Sequence, residues 1–442
     1  MTIQFINHAS FILEFNGIRI INDPWLFGTA FNNGWDLLCD HPFDMEEFRR
    51  IDYIWFSHEH PDHFSPPVLK RIPEEYRKDI TVIFQKTRDR KVIDFCAGLG
   101  FRTEELPHEK EVELAGGLKV ICGNVPFFDS WILYNCGGTK ILNINDCVVD
   151  GDGNAEDIRN VTGQVDLLFT QFSYAAWKGN VEDKKLREES ARSKLEIMER
   201  QIKVFKPKWT IPFASFVYFS HEENRYNNDS INRPEDAVEA IAATGSEPVL
   251  LYPGDRWEVG SPHDNEKPLE KYRKDYDLST KPFHTAAGSV AEEKLKESAQ
   301  KYVERVRSRN NNFLIGVIRR IPGFGFFQPL DLFLFDLGST YRFSLDSGLV
   351  NVGEGKPYDV RMHSENLDYI FRFDWGYDTL TVNGRFQADM NGFGKMTKLF
   401  AIGPLNNTGR FVSFGLLVDV RMVSTFLRAL RKFMRRLRRY GV

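Results

Sequence analysis

The chain has 442 residues, of which 42% are hydrophobic and 27% charged. That balance argues against wholesale disorder, and the length calls for two or three domains rather than one core. A formal charge of −4 gives no electrostatic reason to expect a nucleic-acid partner, and five cysteines without a Cys-x-x-Cys pair argue against a disulfide framework or a cysteine-built zinc cluster.

Ile3 to Phe15 and Ile18 to Ile21 flank Asn16-Gly17, a tight-turn signal between strand-like arms. No basic region and apolar core mark a secretory signal, and charges interrupt every apolar stretch before membrane-spanning length, so a cytoplasmic location is expected. Asp52 to Ser57 is a short apolar run that ends abruptly in the polar cluster His58 to His63, as a strand does when it delivers an active-site loop. Further arms flank Gly116-Gly117 (Val112 to Val120) and Gly137-Gly138 (Trp131 to Ile144).

Leu195, Met198 and Ile202 fall at helical spacing in Lys184 to Phe205, a helix that stops before Pro207. Trp209 to Phe219 reads as one buried strand. Asp264 to Pro282 is charged and lacks periodicity, so the domain boundary is placed there: 1–282 catalytic, 283–442 an appended α/β region. In the second part, Ala291 to Ser308 predicts a helix, Gly323 to Phe327 a connection, and Tyr369 to Phe373 and Leu380 to Val382 strands. At the end, Phe426, Leu427, Leu430, Phe433, Met434 and Leu437 mark one face of a helix whose remainder is Arg and Lys. That pattern suits a helix docked on its own domain, or a membrane-surface contact through 424–440, or a patch for an anionic partner.

His58-Glu59-His60-Pro61-Asp62-His63 holds three of the ten histidines and two carboxylates in six positions. Neutral imidazole and carboxylate are the ligands that borderline divalent metals prefer. In an extended exit from a strand, His58 and His60 point the same way and can share one ion. Past the Pro61 bend, Asp62 and His63 can turn toward a second.

His58-x-His60-x-Asp62-His63 after an apolar strand resembles the signature of the metallo-β-lactamase superfamily. The resemblance implies an αββα sandwich with two metals at one edge of its sheets. It also implies that the two first histidines bind one ion, Asp62 and His63 the other, and a later aspartate both. Asn145-Asp146, after the apolar strand Lys140 to Ile144, supplies that bridge as Asp146, and Asp62 and Asp146 are the expected catalytic pair. Two departures matter. Asp129 stands where the family usually has a histidine, and Lys206-Pro207-Lys208 leads to Ala214 where a last histidine is usual. His221 is the expected substitute, ahead of Glu222 and Glu223.

His8-Ala9-Ser10, Asn22-Asp23-Pro24-Trp25, Ala30 to Trp35 and His221-Glu222-Glu223-Asn224 resemble the metallo-β-lactamase-fold part of the CMP-N-acetylneuraminate hydroxylases. These are iron-dependent monooxygenases that convert N-acetyl to N-glycolyl and carry a Rieske domain. Here Cys39-Asp40-His41 mimics half of that site and no Cys-x-x-His follows, so an external electron donor is expected. A carboxylate at Asp129 also resembles the diiron hydroxylase of chloramphenicol biosynthesis, and it favours iron over zinc. The expectation is thus a diiron oxygenase hydroxylating a polar, N-acylated sugar or nucleotide-sugar-like small molecule. The alternative is a dinuclear zinc hydrolase with a metal-bridging hydroxide.

His8, Asp23, Trp25, Trp35 and Tyr174 are expected around the metals, with Asp23 orienting His58 or His60. Trp177 and Gln171 to Ser173 either line the pocket or belong to the core. Asn366 to Tyr369 and Asn383 to Phe386 weakly resemble sterol-carrier-like domains, which hints at packing beside the active site or at subunit contact.

Overall fold

The computed structural model describes residues 1–125, 128–147, 149 and 153–415, so the basic segment 424–440 lies outside the described residues. The chain divides into two units: Met1–Thr285 together with Thr381–Arg385, and Ala286–Leu380 with the described residues from Phe386 on.

Two seven-stranded sheets face each other in the first unit. One runs in the order Arg256–Glu258, Thr2–Asn7, Ser10–Phe15, Ile18–Asn22, Tyr53–Trp55, Thr81–Gln85, Arg102–Leu106. The other runs Glu247–Pro248, Trp209–Phe213, Leu167–Gln171, Thr139–Asn143, Ser130–Cys136, Lys119–Asn124, Glu111–Glu113. Alternation along the first sheet sorts its side chains between two cores. Phe11, Leu13, Ile20, Trp55 and Ile83 point between the sheets, toward Tyr134, Ile141 and Phe169. Ile12, Ile21, Ile54, Val82 and Phe84 point outward, onto Val68, Leu69, Val92 and Ile93 of the helices Pro66–Arg71 and Lys91–Gly98. On the far side, the helices Asn154–Thr162, Lys184–Phe205 and Pro234–Ala243 bury Ile158, Met198, Ile202, Phe205 and Ile241 against the second sheet. The layers are α, β, β, α, as the sequence led us to expect.

Three local expectations give way. Ile3 to Phe15 is not one arm but two antiparallel strands joined by a turn at His8-Ala9, where His8 takes φ 28°. Trp209 to Phe219 breaks at Ala214, whose φ of 53° no continuous strand contains. Trp209–Phe213 stays in the second sheet, and Val217–Phe219 pairs with Trp35–Leu37. Asp264 to Pro282 contains the helix Glu266–Asp275, whose Tyr272 stacks on Phe216 with ring centroids 4.5 Å apart.

The second unit carries a five-stranded sheet, ordered Gly348–Gly353, Ser339–Ser344, Leu330–Leu334, Val360–Met362, Phe386–Ala388. The helices Glu292–Arg309 and Ser364–Arg372 cross at the hydrogen bond from Ser298 Oγ to Asp368 Oδ1, 2.6 Å. The predicted strands at Tyr369 to Phe373 and Leu380 to Val382 fall in the helices Ser364–Arg372 and Gly376–Asn383. Leu367, Ile370 and Phe371 are buried at i, i+3 and i+4, a helical face that outweighs the strand preference of the aromatics. No helix among the described residues is long and apolar enough to cross a membrane.

Candidate metal centre

Four loops meet at one edge of the sandwich. Ser57 to His63 follows Tyr53–Trp55, Asp23 follows Ile18–Asn22, and Asn145-Asp146 follows Thr139–Asn143. All three leave the C-terminal ends of strands with parallel neighbours, the edge where ligands collect in such sheets. The fourth loop is the His8-Ala9 turn.

Two sets of three ligand atoms converge there. His8, Asp62 and His63 form one, and His58, His63 and Asp146 the other, with the atoms of each set within 4.8 Å of one another. Asp62 Oδ2 lies 3.4 Å from both His8 Nε2 and His63 Nε2. Asp146 Oδ1 lies 3.6 Å from His63 Nε2 and 3.8 Å from His58 Nδ1. His63 Nδ1 is 2.9 Å from Asp23 Oδ2, which fixes the proton there and leaves Nε2 as its one free lone pair. His63 can therefore serve only one ion at a time. Asp23 orients His63, not His58 or His60 as expected, because its oxygens also accept from Ser57 N at 2.7 Å and Ser57 Oγ at 2.8 Å.

The fit of these donors to a metal rests on unmet bonding. Both nitrogens of His8, Nε2 of His58 and His63, and Oδ1 of Asp62 and Asp146 are buried without a hydrogen bond. Each such atom costs about 1–3 kcal/mol of lost solvation; of them, His8 Nε2, His63 Nε2 and Asp146 Oδ1 also face the neighbouring donor atoms, where a divalent cation would satisfy them. Burial holds His58 well below the usual histidine range, keeping it the neutral ligand form. Burial would raise Asp62, but His63 and His8 outweigh it and hold the carboxylate well below its ordinary range. Asp129 goes the other way: burial, then Asp146, pushes its carboxyl well up.

The remaining candidates divide. Asp129 Oδ1 stands 3.7 Å from His58 Nδ1, beside the second set. His60 lies outside both sets, its ring against His58 at 4.6 Å, Phe128 at 4.9 Å and Phe31 at 5.5 Å. His221 joins neither set. Its turn is closed by His221 N to Asn224 Oδ1 and by Glu223 N to its own Nδ1. Glu223, the lesser alternative, bonds Arg385 Nε at 2.6 Å. Trp25 packs edge-on to His8 at 5.7 Å, and Trp35 packs on Phe31 at 4.8 Å. Tyr174 is buried core, its hydroxyl donating to Asn227 O.

Sequence reasoning missed Ser57, Gln85 and Ser130. Ser57 Oγ sits 3.0 Å from His58 Nδ1 and 3.1 Å from His63 Nδ1. Ser57 O accepts from Ser130 Oγ of the second sheet at 2.7 Å and from Gln85 Nε2 of the first at 3.3 Å, which ties the loop to both sheets. Ser57 was findable by its place one residue before the cluster; the other two carried no signal. Also missed was the segment Thr381–Arg385 in the first unit. Asn383 Nδ2 donates to Phe31 O at 3.0 Å and Arg385 Nη1 to Asn32 O at 2.9 Å. These bonds brace Phe31, Asn32 and Asn33, three consecutive residues with φ of 53°, 55° and 57°, beside His60.

Residues 2–165 match a family model described as a beta-lactamase superfamily domain. The chain is 29% identical over 254 residues to the cytidine monophosphate-N-acetylneuraminic acid hydroxylase of Xenopus laevis, a stretch covering 54% of this chain and 42% of that protein. The match thus spans less than half of that relative's length. Among solved structures, CmlA, a diiron beta-hydroxylase from Streptomyces venezuelae, aligns at 14% identity and a TM-score of 0.41, over 58% of this chain and 54% of that one. An isothiocyanate hydrolase from Delia radicum gut bacteria aligns at 13% identity and a TM-score of 0.44, over 59% and 100%. The sandwich, the loop cluster at its edge and the matched residues lead to one conclusion: this chain carries a metallo-β-lactamase-fold domain at its N-terminus.

Proposed function

We propose that the first unit is a dinuclear iron oxygenase that hydroxylates a small polar molecule, with electrons from a separate donor. The class of substrate is an N-acylated sugar or nucleotide sugar, by the name of the hydroxylase relatives. The observation that carries the reading is Asp129, a carboxylate 3.7 Å from His58 where a third imidazole would make the set richer in nitrogen. With Asp62 and Asp146 it gives three carboxylates around the pair of sites, hard oxygen donors that suit the higher valences of iron better than zinc.

His58, Asp146 and Asp129 would hold one ion with His60 at hand, and Asp62 and His63 the other. A bound iron pair would supply dioxygen activation, which no side chain here provides. The chain's own residues set the conditions. Asp23 holds the proton on Nδ1 of His63, so that Nε2 faces the ions. The rings of Phe31 and Phe128 pack against His60 and hold its orientation. The second reading, a zinc hydrolase, draws on the imidazoles of the same set.

Asp129→His separates the two. It is expected to shift the bound metal from iron toward zinc and to abolish oxygen consumption by the reduced protein. Unchanged iron content and unchanged oxygen uptake would remove Asp129 from the argument.

A further inference from the structure

We infer that His8 is a ligand of the second metal ion, completing the set that Asp62 and His63 begin; this rests on the dinuclear reading above. The set of Asp62 and His63 needs a third donor of its own. His63 has one lone pair to give, Asp146 faces the His58 side as well, and His221 is held elsewhere by its own turn.

His8 answers that need on four counts. It is 2% exposed, and neither ring nitrogen makes a hydrogen bond. Its Nε2 lies 3.4 Å from Asp62 Oδ2, and its ring centroid 5.8 Å from that of His63. Trp25, edge-on at 5.7 Å, fixes the ring's orientation. And Ala214, in the segment where the sequence led us to expect a histidine, is adjacent in space: its N–H donates to His8 O at 2.8 Å. Both residues are non-glycines in the left-handed region, at φ 28° and 53°. Strain of that kind costs about 1–3 kcal/mol per residue and persists where the surroundings over-determine it, commonly at a functional site. The methyl group of Ala214 sends no donor into the site, and the turn of the first hairpin brings one there instead. An imidazole is thus supplied from the opposite sheet.

The competing role for His8 is a proton donor to Asp62 with no metal bond. Elemental analysis of the full chain loaded with ferrous or zinc ion tells them apart. Wild type is expected to hold about two ions and His8→Ala about one, with the circular dichroism unchanged. His8→Ala with both ions retained overturns the assignment and leaves the dinuclear reading standing. A wild-type chain that takes up no more than one ion overturns both. Should His8→Ala fail to fold, anomalous diffraction from metal-loaded wild-type crystals decides. An ion about 2.0–2.2 Å from His8 Nε2 supports the assignment, and one beyond about 3 Å overturns it.

Discussion

Asp146→Asn is expected to lower bound metal from about two ions per chain to fewer than one, the largest loss available from a single isosteric change at the site. Asp146 Oδ1 lies 3.8 Å from His58 Nδ1 and 3.6 Å from His63 Nε2, and His63 is the residue its set shares with the set of His8 and Asp62. Burial works to raise its pKa, yet His58 and His63 outweigh it and hold the carboxylate below the ordinary range, so the group is charged where a metal would need it. The amide keeps the shape and removes the charge that the proposed bridge would share between both ions. Asp62→Asn makes the useful contrast, because Asp62 lies in the other set, with His8 and His63. It should cost one ion of the two. Elemental analysis of the two variants side by side checks the pair of claims. Equal losses in both, or none in Asp146→Asn, would contradict the bridging role.

Arg385→Met is expected to destabilise the first unit by about 3 kcal/mol. The Arg385 side chain is fully buried, with Nε on Glu223 Oε2 at 2.6 Å and Nη1 on Asn32 O at 2.9 Å. Glu223 is 17% exposed on its side chain, so removing the guanidinium leaves a carboxylate desolvated beside His221. The partial exposure of Glu223 places the cost at the lower end of the range for a broken buried pair. The variant also frees the left-handed run Phe31–Asn32–Asn33, so metal affinity should fall along with stability. Urea unfolding measures the first effect. Adding Glu223→Gln should recover part of the loss, since it removes the stranded charge. A double variant no more stable than Arg385→Met would show that packing, not charge, carries the cost.

The parts legible in the sequence share one property: their signal is local. The Asn16-Gly17 hairpin, the helix Lys184–Phe205 and the cluster His58 to His63 each declare themselves within a few residues. His8 is expected around the metals only through a resemblance, not from any local signal. It is a lone histidine in a turn, and only the pairing of its strand in the first sheet brings it to Asp62, 54 positions later in the numbering. Asp23 was placed in the site from its neighbours, but its partner was chosen wrongly. His63, not His58 or His60, turns its Nδ1 toward Asp23, which depends on how the loop bends after Pro61. For Asn383 to Arg385 a weak resemblance hinted only at packing beside the active site or at subunit contact, and nothing in Asn383-Gly384-Arg385 says that it packs against Phe31 and Glu223. The strands misplaced at Tyr369 to Phe373 and Leu380 to Val382 failed for a different reason. Aromatic and β-branched side chains favour a strand there, and tertiary burial of a helical face overrides that preference.

The identity of the metal in protein made without added metal tests the account most directly. Iron-57 Mössbauer spectroscopy together with elemental analysis reads both the element and its coupling. About two iron ions per chain are expected, coupled as a pair, with a spectrum that changes when the reduced protein meets oxygen. Tightly bound zinc, with no oxygen reactivity after iron is reconstituted, would contradict the oxygenase and leave the hydrolase.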